Sequence, residues 1–156
     1  MYRLALLAAL VPFASAPAAA SSQRDPAQVL MPPPEYRAGN EQWGYAEAIT
    51  HNDTIYLSGV VAGLRPGETD QSAAFERAFK QIESILKRAG SNWDNVIDMT
   101  TYHTDLPVQL EAFVKVKARY VTAPYPTWTA IDIDRLVPDG GLVEIKVIAK
   151  KAKQAP

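Results

Sequence analysis

His51 and His103 are the two histidines of a 156-residue chain that contains no cysteine, so thiolate nucleophiles, disulfides and thiolate metal sites are excluded at the outset. The histidines stand 52 residues apart, with no Asp/Glu ligand spacing around either, and a metal centre is not expected. Ser58, His103 and Asp132 compose a nucleophilic triad only on paper. Ser58 sits in Tyr56-Leu57-Ser58-Gly59, which is not the G-x-S-x-G elbow such a serine needs. The remaining polar candidates lie on strand-like segments. Glu144, Lys146, Ile148 and Lys150 alternate on one face of the last segment, where Glu144 read alone is an ordinary exposed carboxylate. If helices cover the face carrying Val143, Ile131 and Ile55, then Tyr56, Trp128, Ala130 and Ile148 share the uncovered one. Such an aromatic patch with a few polar groups suits an interface or a ligand groove.

The elements that would position these residues follow from periodicity. Tyr45–Thr50 and Thr54–Val61 read as a strand pair joined at His51-Asn52-Asp53, since Asn and Asp tolerate the positive φ of a tight turn. Phe75, Ala78, Phe79, Ile82, Ile85, Leu86 and Ala89 recur at helical spacing, with Asp70 or Ser72 as cap and Gly90 as stop. Val96–Thr104 is a strand rich in β-branched residues. A second helix starts at Pro107, carries the stripe Leu110, Phe113, Val114 and Tyr120, and ends before Pro124. Strands Thr127–Asp134 and Leu142–Lys150 close the pattern through Pro138-Asp139-Gly140-Gly141. The order is β-β-α-β-α-β-β, an α+β domain with one sheet and two helices on one face.

The beginning of the chain reads as an export signal. Arg3 is the only charge before Arg24, Leu4 to Phe13 is an apolar run of ten, and Ala18-Ala19-Ala20 offers a cleavage site before Ser21. The run is too short for a bilayer span, which takes ~20 residues. The expected organisation is a signal peptide over 1–20, a proline-rich lead over 21–42, a domain over 43–152 and a tail over 153–156. Pro26, Pro32, Pro33 and Pro34 argue against helix and strand in the lead. Cleavage would remove one charge and move the net charge from −1 to −2, leaving no footprint for nucleic acid; Lys150, Lys151 and Lys153 are a solvated terminus. The mature protein is expected to be periplasmic or secreted, without a membrane span.

Taken together and in order, Tyr56-Leu57-Ser58-Gly59, Phe79 to Gly90 with the following Val96-Ile97-Asp98-Met99-Thr100-Thr101, Tyr125-Pro126 and Leu142 to Ala149 resemble the RidA/YjgF family of imine deaminases. The resemblance spans about 43–151. It implies a chorismate-mutase-like fold, a homotrimer with ligand clefts between subunits, hydrolysis of 2-imino acids to 2-oxo acids and ammonia, and no metal or organic cofactor. It places the water-holding carboxylate at Glu144, a cleft aromatic at Tyr45 and a small polar turn at Ser58-Gly59. Lys117 matches a position that is often polar and faces the cleft.

The family's carboxylate-gripping arginine falls two residues after the aromatic-proline pair, where this chain has Trp128. Arg135 is a poor replacement, being seven residues on, of opposite parity and ~20 Å away at strand rise. Removing a charged partner of this kind costs ~3–5 kcal/mol. The chain therefore reads as an exported RidA-like protein that binds a small metabolite in intersubunit clefts, over a Trp128 and Ala130 floor, with weakened deamination. Two alternatives remain open: an active imine deaminase using Glu144 and a substitute cation such as Lys117, or a trimeric protein-interaction module.

Overall fold

A computed structural model describes residues 24–153, so the expected signal peptide lies outside the described residues. Among the described residues the strands are β1 (Val29–Leu30), β2 (Ala48–His51), β3 (Thr54–Leu57), β4 (Val60–Gly63), β5 (Val96–His103), β6 (Thr127–Asp132) and β7 (Gly141–Lys150). The α-helices among the described residues are α1 (Ala38–Trp43), α2 (Gln71–Arg88) and α3 (Leu106–Lys117). The strands form one mixed sheet in the order β1-β2-β3-β7-β5-β6, with β4 also on β7. β5 and β6 run parallel and the other pairs antiparallel.

Local chemistry sets these elements. Asn52 and Asp53 take φ of 46° and 59°, making the tight β2–β3 turn. The Asp70 carboxylate accepts from the Ser72 N–H and caps α2, and Gly90 at φ 78° lets Ser91 N–H reach back to the Leu86 carbonyl. α2 buries Phe75, Phe79, Ile82 and Leu86 against the sheet face formed by Val143, Ile145, Val147 and Ala149, as their alternation requires. No helix among the described residues is long and apolar enough to cross a membrane.

Three expectations need correction. The proline-rich lead is not featureless: β1 pairs with β2, and α1 follows the Pro34–Tyr36 turn. Pro26 and Pro34 each open a short turn, where a fixed φ and a missing N–H cost little, and Pro32 and Pro33 lie in the link between β1 and the second turn. Anchors hold it down, with Arg88 bonded to Met31 O and Glu47, and Glu47 N–H to Leu30 O. In α3 the buried positions are Gln109, Phe113 and Val116, while Leu110 and Val114 face outward. Hydropathy could not set this phase, because Gln109 is buried by virtue of its partners. Finally, the expected single strand Thr54–Val61 is two strands. Tyr56 pairs with Ile148 but Val60 with Ile145, so three residues face two and the buried parity switches from Ile55 and Leu57 to Val60 and Ala62.

Candidate functional site

That extra residue creates a corner at Ser58-Gly59. Freed from the β7 ladder, the Ser58 N–H bonds the Glu47 carbonyl and its hydroxyl donates to Ala46 O at 2.7 Å. Gly59 opens the space beneath: a Cβ there would run into the Glu144 carboxylate and its Cγ. Glu144 stands on the open face of β7 between Val61 of β4 and Tyr102 of β5. Its carboxylate makes no hydrogen bond or ion pair among the described residues, so it is free to accept from a water or a ligand. Gly59→Ala should therefore displace the Glu144 carboxylate with a stability loss of no more than about 1 kcal/mol. Thermal unfolding and a hydrolysis assay on the same variant check this, the second falling far more than the first.

Corner and carboxylate border a cavity of about 890 Å³. Its floor is the open sheet face at Ile49, Tyr56, Lys146 and Ile148, and its wall is the lead, from Arg24 through Asn40 to Tyr45. Of the residues singled out from the sequence, Tyr45, Ser58, Gly59 and Glu144 meet here. Arg24 and Asn40 were missed, because nothing in a proline-rich stretch signals that it will fold back over the sheet.

Lys117, Trp128 and Ala130 are not brought to this cavity. The sheet-face expectation for Trp128 is overturned by register: Trp128 pairs with Met99 and Ala130 with Thr101, both fully buried, so this set lies on the helix-covered side. Period-two alternation gives two faces but not which is covered, and parallel pairing with β5 decided it. The indole stacks on Phe113 at 6.1 Å, donates to Thr101 Oγ1 at 3.0 Å and carries Lys117 Nζ 4.1 Å from its ring centroid. Burial lowers the Lys117 pKa, and its ammonium spans the indole rather than a cleft. Arg135 lies beyond the end of β6 and pairs with Asp139 at 3.1 Å. As β6 is the sheet edge opposite the cavity, only a neighbouring protomer could bring this group to it.

The paper triad also dissolves. His103 is fully buried on the helix side, away from Ser58. Gln109 Nε2 donates to Thr104 Oγ1, leaving its Oε1 to accept from His103 Nδ1–H at 3.2 Å. His103 Nε2 lies 3.0 Å from the Thr101 hydroxyl, whose oxygen accepts the Trp128 indole and whose proton also has the Thr129 carbonyl within reach at 3.4 Å. Burial lowers the His103 pKa despite the opposing pull of Gln109 and Asp132. The unfolded chain takes up this proton near pH 6.5 while the folded one resists it, so stability should fall as pH drops below that value. Urea midpoints across pH 7 to 5 check the trend, which His103→Gln should flatten. His51 is exposed in the hairpin turn beside Asn52.

Known proteins place these features. Residues 38–151 match the family model described as Endoribonuclease L-PSP. The RutC family protein YjgH of Escherichia coli K12 is 37% identical over 113 residues, covering 70% of this chain and 85% of that one. The 2-iminobutanoate/2-iminopropanoate deaminase of Capra hircus is 32% identical over 111 residues, 67% of this chain and 78% of that one. The solved structure of protein YJGH superimposes with a TM-score of 0.70 at 32% identity, covering 85% of this chain and all of that one.

Proposed function

The chain belongs to the RidA/YjgF family, and from that premise we propose that the Glu144 cavity is a hydrolytic site for a small 2-imino acid. The observation that carries this reading is the unpaired Glu144 carboxylate, held over Gly59 at the Ser58 corner inside a cavity with Tyr45 on its wall. A carboxylate so placed can orient a water and take its proton as the oxygen attacks the C=N carbon. Glu144 returns that proton to the nitrogen, giving a carbinolamine, then takes the carbinolamine's hydroxyl proton as the C=O forms and passes it to the nitrogen, so that the C–N bond breaks and ammonia leaves. The 2-oxo acid remains.

A second reading, binding without turnover, is favoured by Trp128 standing where the family has its arginine. Two features speak for hydrolysis against it: the cavity is lined by a guanidinium of its own in Arg24, and relatives at this identity include a named imine deaminase. Generating 2-iminobutanoate in situ and following 2-oxobutanoate release separates the readings. The proposal expects acceleration over buffer. Binding of 2-oxobutanoate without acceleration would leave the second reading standing.

We also propose a homotrimer and an exported mature chain beginning at Ser21. The uncovered sheet face, with Tyr56 45% and Ile131 37% exposed, gives the surface for self-association. Native mass spectrometry of protein recovered from the producing cell reads both the subunit number and the loss of residues 1–20. A full-length monomer would contradict both.

A further inference from the structure

The wall of the cavity holds an unexplained polar atom. Asn40, on α1, is 9% exposed, and its side-chain amide nitrogen has no hydrogen-bond partner among the described residues. Leaving such a donor buried and unpaired costs ~1–3 kcal/mol, so a well-ordered fold normally provides an acceptor. Asn40 sits where two hollows adjoin. It lines the main cavity and also a recess of about 50 Å³ behind it, with Tyr45, Ser58 and Gly59 common to both. An occupant of the main cavity that carries an oxygen acceptor would meet this need.

Arg24 lines the same cavity from the same lead, ahead of the stretch that matches the family model. It lies after the expected cleavage site, so the mature chain keeps it. We propose that Arg24 and Asn40 form the carboxylate-binding wall of this site, in place of the arginine that Trp128 displaces. The ligand's carboxylate accepts from the guanidinium and the amide, and its imino carbon turns toward Glu144 on the floor. This assignment rests on the hydrolytic reading and names the recognition half of the same site.

The neighbouring charges limit where the anion can lie. Glu41 also borders the cavity and repels it, and the exposed Lys146 on β7 is a point charge without the planar fork that matches a carboxylate. The wall is fixed well enough to position a ligand. Arg37 Nη2 and Nε hold Pro32 O at 3.1 and 3.3 Å, and the Arg88 and β1–β2 contacts secure both sides of the lead.

The test uses the full-length chain and three variants: Arg24→Gln, Asn40→Asp and Lys146→Gln. Arg24 is exposed and Asp is isosteric with Asn, so the folded state should survive, and circular dichroism checks that it does. Calorimetry with 2-oxobutanoate and its uncharged relative 2-oxobutanamide reads carboxylate recognition, and 2-iminobutanoate kinetics read turnover. Arg24→Gln should weaken 2-oxobutanoate at least tenfold, leave 2-oxobutanamide unchanged and raise KM with little change in kcat. Asn40→Asp, which turns a donor into a second anion, should do the same, and Lys146→Gln should have under a threefold effect. Unchanged binding in Arg24→Gln, or a loss confined to Lys146→Gln, would overturn the assignment while leaving hydrolysis by Glu144 intact. Failure of the parent chain to bind or hydrolyse would remove both.

Discussion

Glu144→Gln is expected to lower the rate of 2-iminobutanoate hydrolysis by at least about a hundredfold, the range lost when a general base is removed. The amide keeps the shape and reach of the side chain but cannot take a proton from water. Glu144 makes no hydrogen bond or ion pair among the described residues, so the exchange breaks no structural contact. Stability should move by less than about 0.5 kcal/mol, as for other substitutions away from packing and networks. Affinity for 2-oxobutanoate should hold or rise slightly, since a negative charge beside the anion is gone. The diagnostic result is therefore a fall in kcat with KM and Tm nearly unchanged. Parallel losses of binding and stability would mean that Glu144 is a structural residue.

The second large effect is on stability. Trp128→Ala should cost about 2–3 kcal/mol, somewhat below the ~3–5 kcal/mol of a fully buried tryptophan because the indole is only partly covered. Three contacts go at once: stacking on Phe113, the hydrogen bond to Thr101 and the ring beneath Lys117. Trp128→Arg, which installs the guanidinium that the family resemblance leads one to expect at this position, should be no better. It sets a guanidinium against Phe113 and next to the Lys117 ammonium, where like charges repel. Chemical denaturation measures the loss. Trp128→Arg should also give no gain in imine hydrolysis, because the side chain starts from the wrong side and wrong end of its own protomer's sheet. A stable, faster Trp128→Arg enzyme would show that the neighbouring protomer completes the cavity from its β6 edge.

The contrast between these residues shows what the sequence could and could not convey. β7 was legible because Val143, Ile145, Val147 and Ala149 are all apolar while Glu144, Lys146 and Lys150 are not, so alternation and covered face coincide. α2 was legible for the same reason, with a capping Asp70 and a terminating Gly90 to fix its ends. In β6 each face mixes apolar and polar residues, so local pattern left the phase undetermined and the long-range pairing with β5 chose it. α3 was mis-phased through Gln109, whose burial depends on His103 and Thr104, residues of another element. Half of the candidate site, Tyr45, Ser58, Gly59 and Glu144, came from family resemblance rather than from spacing. The Arg24 and Asn40 half depends on the lead folding back, through anchors such as Arg88 to Met31 that span 57 residues.

The location of the ligand carries the whole account, and a crystal structure of the full-length chain grown with 2-oxobutanoate reads it directly. The keto carbon should lie between the Ser58-Gly59 corner and Glu144, with the carboxylate turned to Arg24 and Asn40. A ligand seated against Lys117 and Trp128 instead, with the Glu144 cavity empty, would contradict it.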